Sequence, residues 1–152
     1  MLRIFLILAF VPGVALADLG DTTETARLKY GPASPTQTPQ ILAYLHGNKY
    51  RVWQTYDDKG VCVIAEFSPL NHEPLTPVDC QKLDAANLPG LTPGVGAGWN
   101  RVTWPGTISF EYTGPEQQLF QVMESQDKDG WSRMYLNGAG IAFIKSLPQV
   151  GR

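Results

Sequence analysis

The stretch ILAYLHGNKYRVWQTYDDKGVCVIAEF, residues 41–67, decides how this chain folds. From Ile41 onward short apolar runs bounded by turn residues replace the helical pattern, as in strands whose side chains alternate between two faces. His46-Gly47-Asn48-Lys49 and Asp57-Asp58-Lys59-Gly60 interrupt those runs as turns. The segment therefore predicts three successive strands over residues 41–45, 50–56 and 61–67. In the middle strand Tyr50, Val52, Gln54 and Tyr56 share one face, while Arg51, Trp53 and Thr55 share the other. The third strand is apolar on both faces except at Glu66, which predicts a central position covered on both sides.

Working outward, Asp21-Thr22-Thr23-Glu24 has the spacing of a capping box, with Asp21 as cap and Glu24 reaching back. The helix it opens runs to about Tyr30 and stops at Gly31-Pro32. Residues 31–40 hold three prolines and little apolar mass, a loop with polyproline character. Thr76-Pro77-Val78-Asp79 starts a second helix, with Thr76 as cap and Pro77 in the first helical position, ending near Asn87. Residues 88–98 are rich in Gly and Pro and read as a loop. Beyond them, strands are predicted over residues 99–104, 107–113, 119–124, 131–136 and 141–145, with Asp129-Gly130 and Asn137-Gly138 as hairpin turns. The expected fold is α+β: a small antiparallel sheet with two short helices packed on one face, followed by a β-rich C-terminal meander. Residues 18–152 form one domain, divided into a helix and loop (18–40), three strands and a helix (41–87) and antiparallel strands (99–146).

The first seventeen residues read as an export leader. Arg3 supplies the positive end, residues 4–11 an unbroken apolar run, and Ala15-Leu16-Ala17 the small-x-small cleavage site. Asp18 follows that site, where a lipoprotein would carry cysteine. An apolar run of this length is far short of the roughly 20 residues of a membrane span. The product is thus expected to be periplasmic or secreted, without a membrane anchor after cleavage. In an oxidising compartment the two cysteines of the chain, Cys62 and Cys80, are expected to form a disulfide. Cys80, Leu83 and Asn87 fall on one helical stripe, which such a bond would hold over the strand carrying Cys62.

The segment LGDTTETARLKYGP, residues 19–32, resembles the opening of a group of small exported bacterial domains that begin Gly-x-Thr/Ser, form a short helix and close on an aromatic or Leu, a Gly and a nearby Pro. The SmpA/OmlA (BamE-like) envelope proteins are the best-known case. They are related in fold to the β-lactamase-inhibitor-protein architecture of short helices packed on a small antiparallel sheet. The following strand–turn–strand, with Asp58-Lys59-Gly60 in its turn, is similar too. Here Gly31 and Pro32 adjoin, where the family places a residue between them. The resemblance implies that fold and a non-catalytic binding role, and it assigns no binding residue.

Composition and motifs narrow the chemistry. The chain of 152 residues has 12 Lys+Arg against 14 Asp+Glu, so it lacks the basic surface that counterion-release binding of nucleic acid requires. Two His, His46 and His72, and two Cys show no metal-ligand spacing, so no metal is expected. Asp127-Lys128-Asp129-Gly130 hints at a calcium loop, but the twelfth position is Leu136, where a bidentate Glu is needed. No nucleophile elbow and no phosphate-cradling loop occur, and no catalytic residue or cofactor is assigned. The remaining handle is aromatic. Arg51 and Trp53 lie on one face of the middle strand, and Trp99 and Trp104 bracket Asn100-Arg101 beside the Gly-rich loop. These four are the candidate binding residues. The expected function is an exported, non-catalytic domain that recognises another envelope or secreted protein through its sheet. Two alternatives stay open: a polysaccharide or peptidoglycan binder that stacks aromatic faces on sugar rings, and a small hydrolase.

Overall fold

The computed structural model describes residues 18–88, 90, 100–104, 107–128 and 130–147. The leader therefore lies outside the described residues, as do Trp99 and most of the Gly-rich loop. Helix α1 (Thr23–Tyr30) precedes strands β1 (Ser34–Pro35), β2 (Ile41–His46), β3 (Tyr50–Tyr56) and β4 (Cys62–Pro69). After helix α2 (Pro77–Asn87) come β5 (Asn100–Trp104), β6 (Thr107–Thr113), β7 (Leu119–Asp127), β8 (Gly130–Leu136) and helix α3 (Gly138–Ser146). Among the described residues no helix is long and apolar enough to cross a membrane.

The strands form a single 8-stranded sheet in the order β1-β2-β3-β4-β8-β7-β6-β5, every pair antiparallel. This overturns the expected small sheet with two helices on one face and a separate meander. The C-terminal strands are the other half of the same sheet, because β8 pairs with the outer edge of β4 from Ile64↔Leu136 to Phe67↔Arg133. The cause is legible in β4 itself. Cys62, Val63, Ile64, Ala65 and Phe67 are all buried, and a strand apolar on both faces cannot leave its edge in water.

A second correction concerns residues 141–145, expected as a strand and found inside α3. Asn137 is the N-cap of this helix rather than a hairpin residue, and its Oδ1 accepts from the Gly140 amide at 3.0 Å. Gly140 allows the helix to lie directly on β4, since a Cβ there would sit 2.2 Å from the Val63 carbonyl oxygen. In α1 the cap is Thr22 instead of Asp21, and the Asp21 carboxylate pairs with Lys29. For α2 the reading holds: Thr76 caps the helix and Pro77 opens it.

The register sorts side chains onto two faces. One face carries the rows Leu42–Gln54–Ala65–Tyr135–Val122 and Tyr44–Val52–Phe67–Arg133–Glu124. The main core lies on it, with Ala26 of α1 and Leu83 of α2 packed against Tyr44, Val52, Phe67 and Tyr135. The opposite face carries the row Ala43–Trp53–Glu66–Met134–Met123–Ser109. There α3 makes a smaller cluster in which Ile141 meets Val63, Ile64 and Leu136.

The two cysteines are free thiols, which corrects the expected disulfide. Leu83 and Asn87 of that helical stripe are buried and Cys80 half-buried, but α2 runs along β4 in the opposite sense to the one a bond requires. Its C-terminal end, at Asn87, reaches the start of β4: the Asn87 Oδ1 accepts from the Asp18 amide, and Gly20 beside it donates to the Cys62 carbonyl at 2.8 Å. Cys80 sits one end away, with its Sγ 3.9 Å from Glu124. Glu124 opposes Arg133 and Arg133 opposes Phe67, so Cys80 is level with Phe67. From Phe67 to Cys62 along β4 is about 16 Å at about 3.3 Å per residue, whereas a disulfide needs Cα atoms about 4.4–6.8 Å apart. Cys62 is fully buried and donates to the Ile64 carbonyl at 3.2 Å. Burial raises both thiols above the ordinary range, so neither is a ready nucleophile.

Candidate functional site

The face that carries α3 is only partly covered. Between α3, the segment 34–38 and the outer strands β2 and β3 it leaves a groove of about 860 Å³. Its floor is built from strand residues that alternate onto this face: Ile41, Ala43 and Leu45 of β2, Arg51, Trp53 and Thr55 of β3, Ile64 and Glu66 of β4, and Met134 of β8. Phe143, Ile144 and Leu147 form the wall on the α3 side. Three lining side chains are large, apolar and exposed: Leu45 at 58%, Ile144 at 37% and Leu147 at 45%. Exposed apolar side chains that converge on one concavity mark an interaction site more strongly than the same residues scattered. The charged side chains of the lining are Arg51 and Glu66.

The outer wall of the groove is a sheet edge. The β1 strand covers β2 only at Leu42 and Ala43. The Ile41 amide donates to the Thr38 carbonyl and the Ile41 carbonyl accepts from Thr36 Oγ1, so Ile41 turns its backbone groups outward. Alternation then turns the N–H and C=O of Ala43 and Leu45 to the same side. Ala43 meets Ser34 there, and Leu45 lies beyond Ser34, the first residue of β1. The exposed Leu45 thus combines an outward-facing backbone edge with a side chain that opens onto the groove.

Two polar clusters lie on the other face, both inside the main core. In the first, Arg133 is 6% exposed and grips Asp84 through Nη2 at 2.7 Å and Nε at 3.1 Å, while also pairing with Glu124. The Tyr135 hydroxyl donates to Asp84 Oδ1 at 2.6 Å, so the cluster ties α2 to β7 and β8. In the second, Asp18 is completely buried. Its Oδ1 accepts from the Tyr30 hydroxyl at 2.6 Å and from Gln54 Nε2 at 2.7 Å, and Lys29 stands 3.8 Å away. Desolvation pushes the Asp18 carboxyl from an ordinary 3.8 up to about 6, against the pull of the Tyr30 hydrogen bond and the Lys29 charge. Gln54 Oε1 accepts in turn from Tyr56, which adjoins the Tyr44 hydroxyl at 3.2 Å. Neither cluster opens into the groove. Their hydrogen bonds run between α1, α2 and the sheet, which is the arrangement of a buried network that fixes packing.

Of the four candidate binding residues, the structure brings Arg51 and Trp53 together in the groove lining. Trp104 belongs to the edge strand β5, at the far end of the sheet from β2 and β3, so it does not share that surface. Trp99 lies outside the described residues. Sequence reasoning misses the α3 wall of Phe143, Ile144 and Leu147, because it places residues 141–145 in a strand and assigns no role to Leu147. The signal that could have found it was Asn137 three residues before Gly140, the spacing of an N-cap. Among the described residues no group of three or more His, Cys, Asp or Glu is placed to hold a metal ion. Models of known families, curated proteins and solved structures give no match to the chain.

Proposed function

We propose that the chain is an exported, non-catalytic binding domain whose groove takes an extended segment of another envelope or secreted polypeptide. The observation that carries the reading is the coincidence of a concave apolar surface with an open sheet edge at Leu45. A peptide laid along the outer edge of β2 at Leu45 would donate and accept main-chain hydrogen bonds and drop every second side chain toward Ala43, Trp53 and Met134. Arg51, opposite Leu45 in the register and exposed, favours a carboxylate at that end of the peptide. The lining is mostly aliphatic and aromatic, with one cation, one carboxylate and the neutral polar side chains of Thr55 and the segment 34–38, a composition suited to recognition more than to acid–base chemistry.

Panning a displayed library of random ten-residue peptides on the folded protein tests this. Enrichment of sequences with alternating apolar residues is expected, with binding lost on Leu45→Pro and on Trp53→Ala. Leu45→Pro removes one outward N–H at a sheet edge, a position where proline is tolerated, so the fold survives it. Peptides that bind both variants undiminished would overturn the reading. Trp53-dependent binding of oligosaccharides, with no peptide enriched, would transfer the groove to a polysaccharide ligand.

A further inference from the structure

The Asp18 pocket has one more acceptor than the donors of the described residues fill. Asp18 Oδ2 is buried and, among the described residues, has no hydrogen-bond partner. An orphaned carboxylate oxygen in a core is costly, and its presence calls for a donor. The Asp18 main-chain nitrogen lies in the same pocket, 3.1 Å from the Asn87 Oδ1, which also accepts from the Leu19 amide at 3.2 Å. As an amide, that nitrogen carries a single hydrogen, and Asn87 uses it. Asp18 is also the residue that follows Ala15-Leu16-Ala17, the small-x-small end of the leader.

We propose that the pocket is a binding site for the chain's own α-ammonium group, created by cleavage after Ala17. The inference rests on the reading of residues 1–17 as a leader. Hydrolysis by a leader peptidase adds the hydroxyl of water to the Ala17 carbonyl carbon and leaves a proton on the Asp18 nitrogen. That nitrogen then takes a second proton from solvent to become an ammonium. One of its three donors keeps the Asn87 bond, and the others are free for Asp18 Oδ2. Burial of Asp18 fixes the order of events: the bond is cut on the extended chain, and the new terminus docks as the domain folds. The groups facing the pocket are Tyr30, Lys29 and Asp21 from α1 and its start, Gln54 and Tyr56 from β3, Cys62 from β4 and Asn87 from α2. Lys29 is shared with Asp21, so it leaves the Asp18 carboxylate only partly compensated.

The test compares a chain that begins at Asp18 with the same chain carrying Leu16 and Ala17 ahead of it. The form beginning at Asp18 is expected to melt higher at pH 7 by about 5 °C. Its α-amine should resist acylation at pH 8 at least tenfold relative to an unstructured peptide, because docking holds the proton beyond the ordinary range of about 7.7–8.0. The two forms lose stability in different pH windows. In the extended form the folded state holds the Asp18 proton up to about pH 6 while the unfolded state releases it near 3.8, so stability falls as pH rises across that window. In the form beginning at Asp18 the ammonium keeps the carboxylate charged, so that loss shrinks, and stability is lost instead as alkaline pH strips the amine. Asn87→Ala should narrow the gap in melting temperature between the two forms; if that variant fails to fold, the acylation rates decide. Equal melting temperatures with a freely acylated amine overturn the proposal. Intact-mass measurement of exported protein judges the leader separately, since a chain starting elsewhere than Asp18 refutes the cleavage site without touching the comparison in vitro.

Discussion

Under α1 and α2 the sheet is sealed, whereas under α3 it is half open. On the sealed face the row through Gln54 is buried from β3 to β7 and the row through Val52 from β3 to β8, and even the polar members Gln54 and Arg133 are enclosed and bonded. On the open face α3 covers Leu136 and Ile64 but leaves Leu45 and Arg51 to solvent and Trp53 half-covered. The difference teaches where stability and recognition are separated in this molecule. Burial of two helices against one face supplies the hydrophobic free energy, so the other face is released from that duty and can expose apolar surface.

The sharpest way to break the comparison is to disturb a place where the open face is also tightly packed. A Cβ on Gly140 would lie 2.2 Å from the Val63 oxygen and 2.9 Å from the Ile64 Cγ1. Helix propensity favours Ala over Gly by about 1 kcal/mol, but the backbone contact cannot yield as a flexible side chain would. Gly140→Ala is therefore expected to destabilise by about 4 kcal/mol, lifting α3 off the sheet. Gly138→Ala, where a Cβ meets nothing within 4 Å, is the control and should be neutral or slightly stabilising. Urea titration followed by tryptophan fluorescence measures both.

On the sealed face the comparable point is Arg133. Its removal leaves Asp84 and Glu124 facing one another without a cation, next to the buried Tyr135. Both carboxylates keep some solvent access, 17% and 27% of their side chains, so the loss falls at the lower end of the range for a broken buried pair. Arg133→Ala is expected to cost about 3 kcal/mol. Adding Asp84→Asn to the same chain should recover part of that, because one of the stranded charges is then gone. A double-mutant cycle by urea denaturation gives the coupling; strict additivity would mean that the pair contributes nothing as a pair.

How much of this was legible in the chain follows from which interactions act locally. The strands β2, β3 and β4 and the helix α2 could be read because period, turn chemistry and caps act over a few residues. Two things could not. The pairing of β8 with β4 joins Leu136 to Ile64, and no local signal specifies a partner so distant in sequence; only the two-sided apolar character of β4 hinted that a neighbour was required. The direction of α2 along β4 escaped for the same reason, and with it the separation of Cys62 from Cys80. Residues 137–145 failed differently, because Asn-Gly serves both a hairpin and a helix cap, and the four residues Ile141, Ala142, Phe143 and Ile144 suit a buried strand or a helix equally. Of the site, alternation gave Arg51 and Trp53 on one face but not which face would stay open. That was decided by α1 and α2, whose docking on the opposite face rests on long-range contacts of Tyr30, Asp84 and Asn87.

Neighbouring residues of β3 give the finest measure of the contrast. Val52 is fully buried against the helices, and Arg51, one residue away, points into the groove and is exposed. Val52→Ala removes two methyl groups from a sealed core and should cost about 2 kcal/mol. Arg51→Glu changes charge by two units at a solvated position and should move stability by less than about 0.5 kcal/mol. If the open face is the recognition surface, the order reverses for binding. Val52→Ala would then leave peptide affinity within about twofold, whereas Arg51→Glu would weaken an acidic peptide at least tenfold and invert its salt dependence. Measured together by thermal denaturation and by fluorescence titration, a shared loss of stability and binding in the same variant would show that the two faces are one cooperative unit. Opposite orders would show that the groove is energetically independent of the core beneath it.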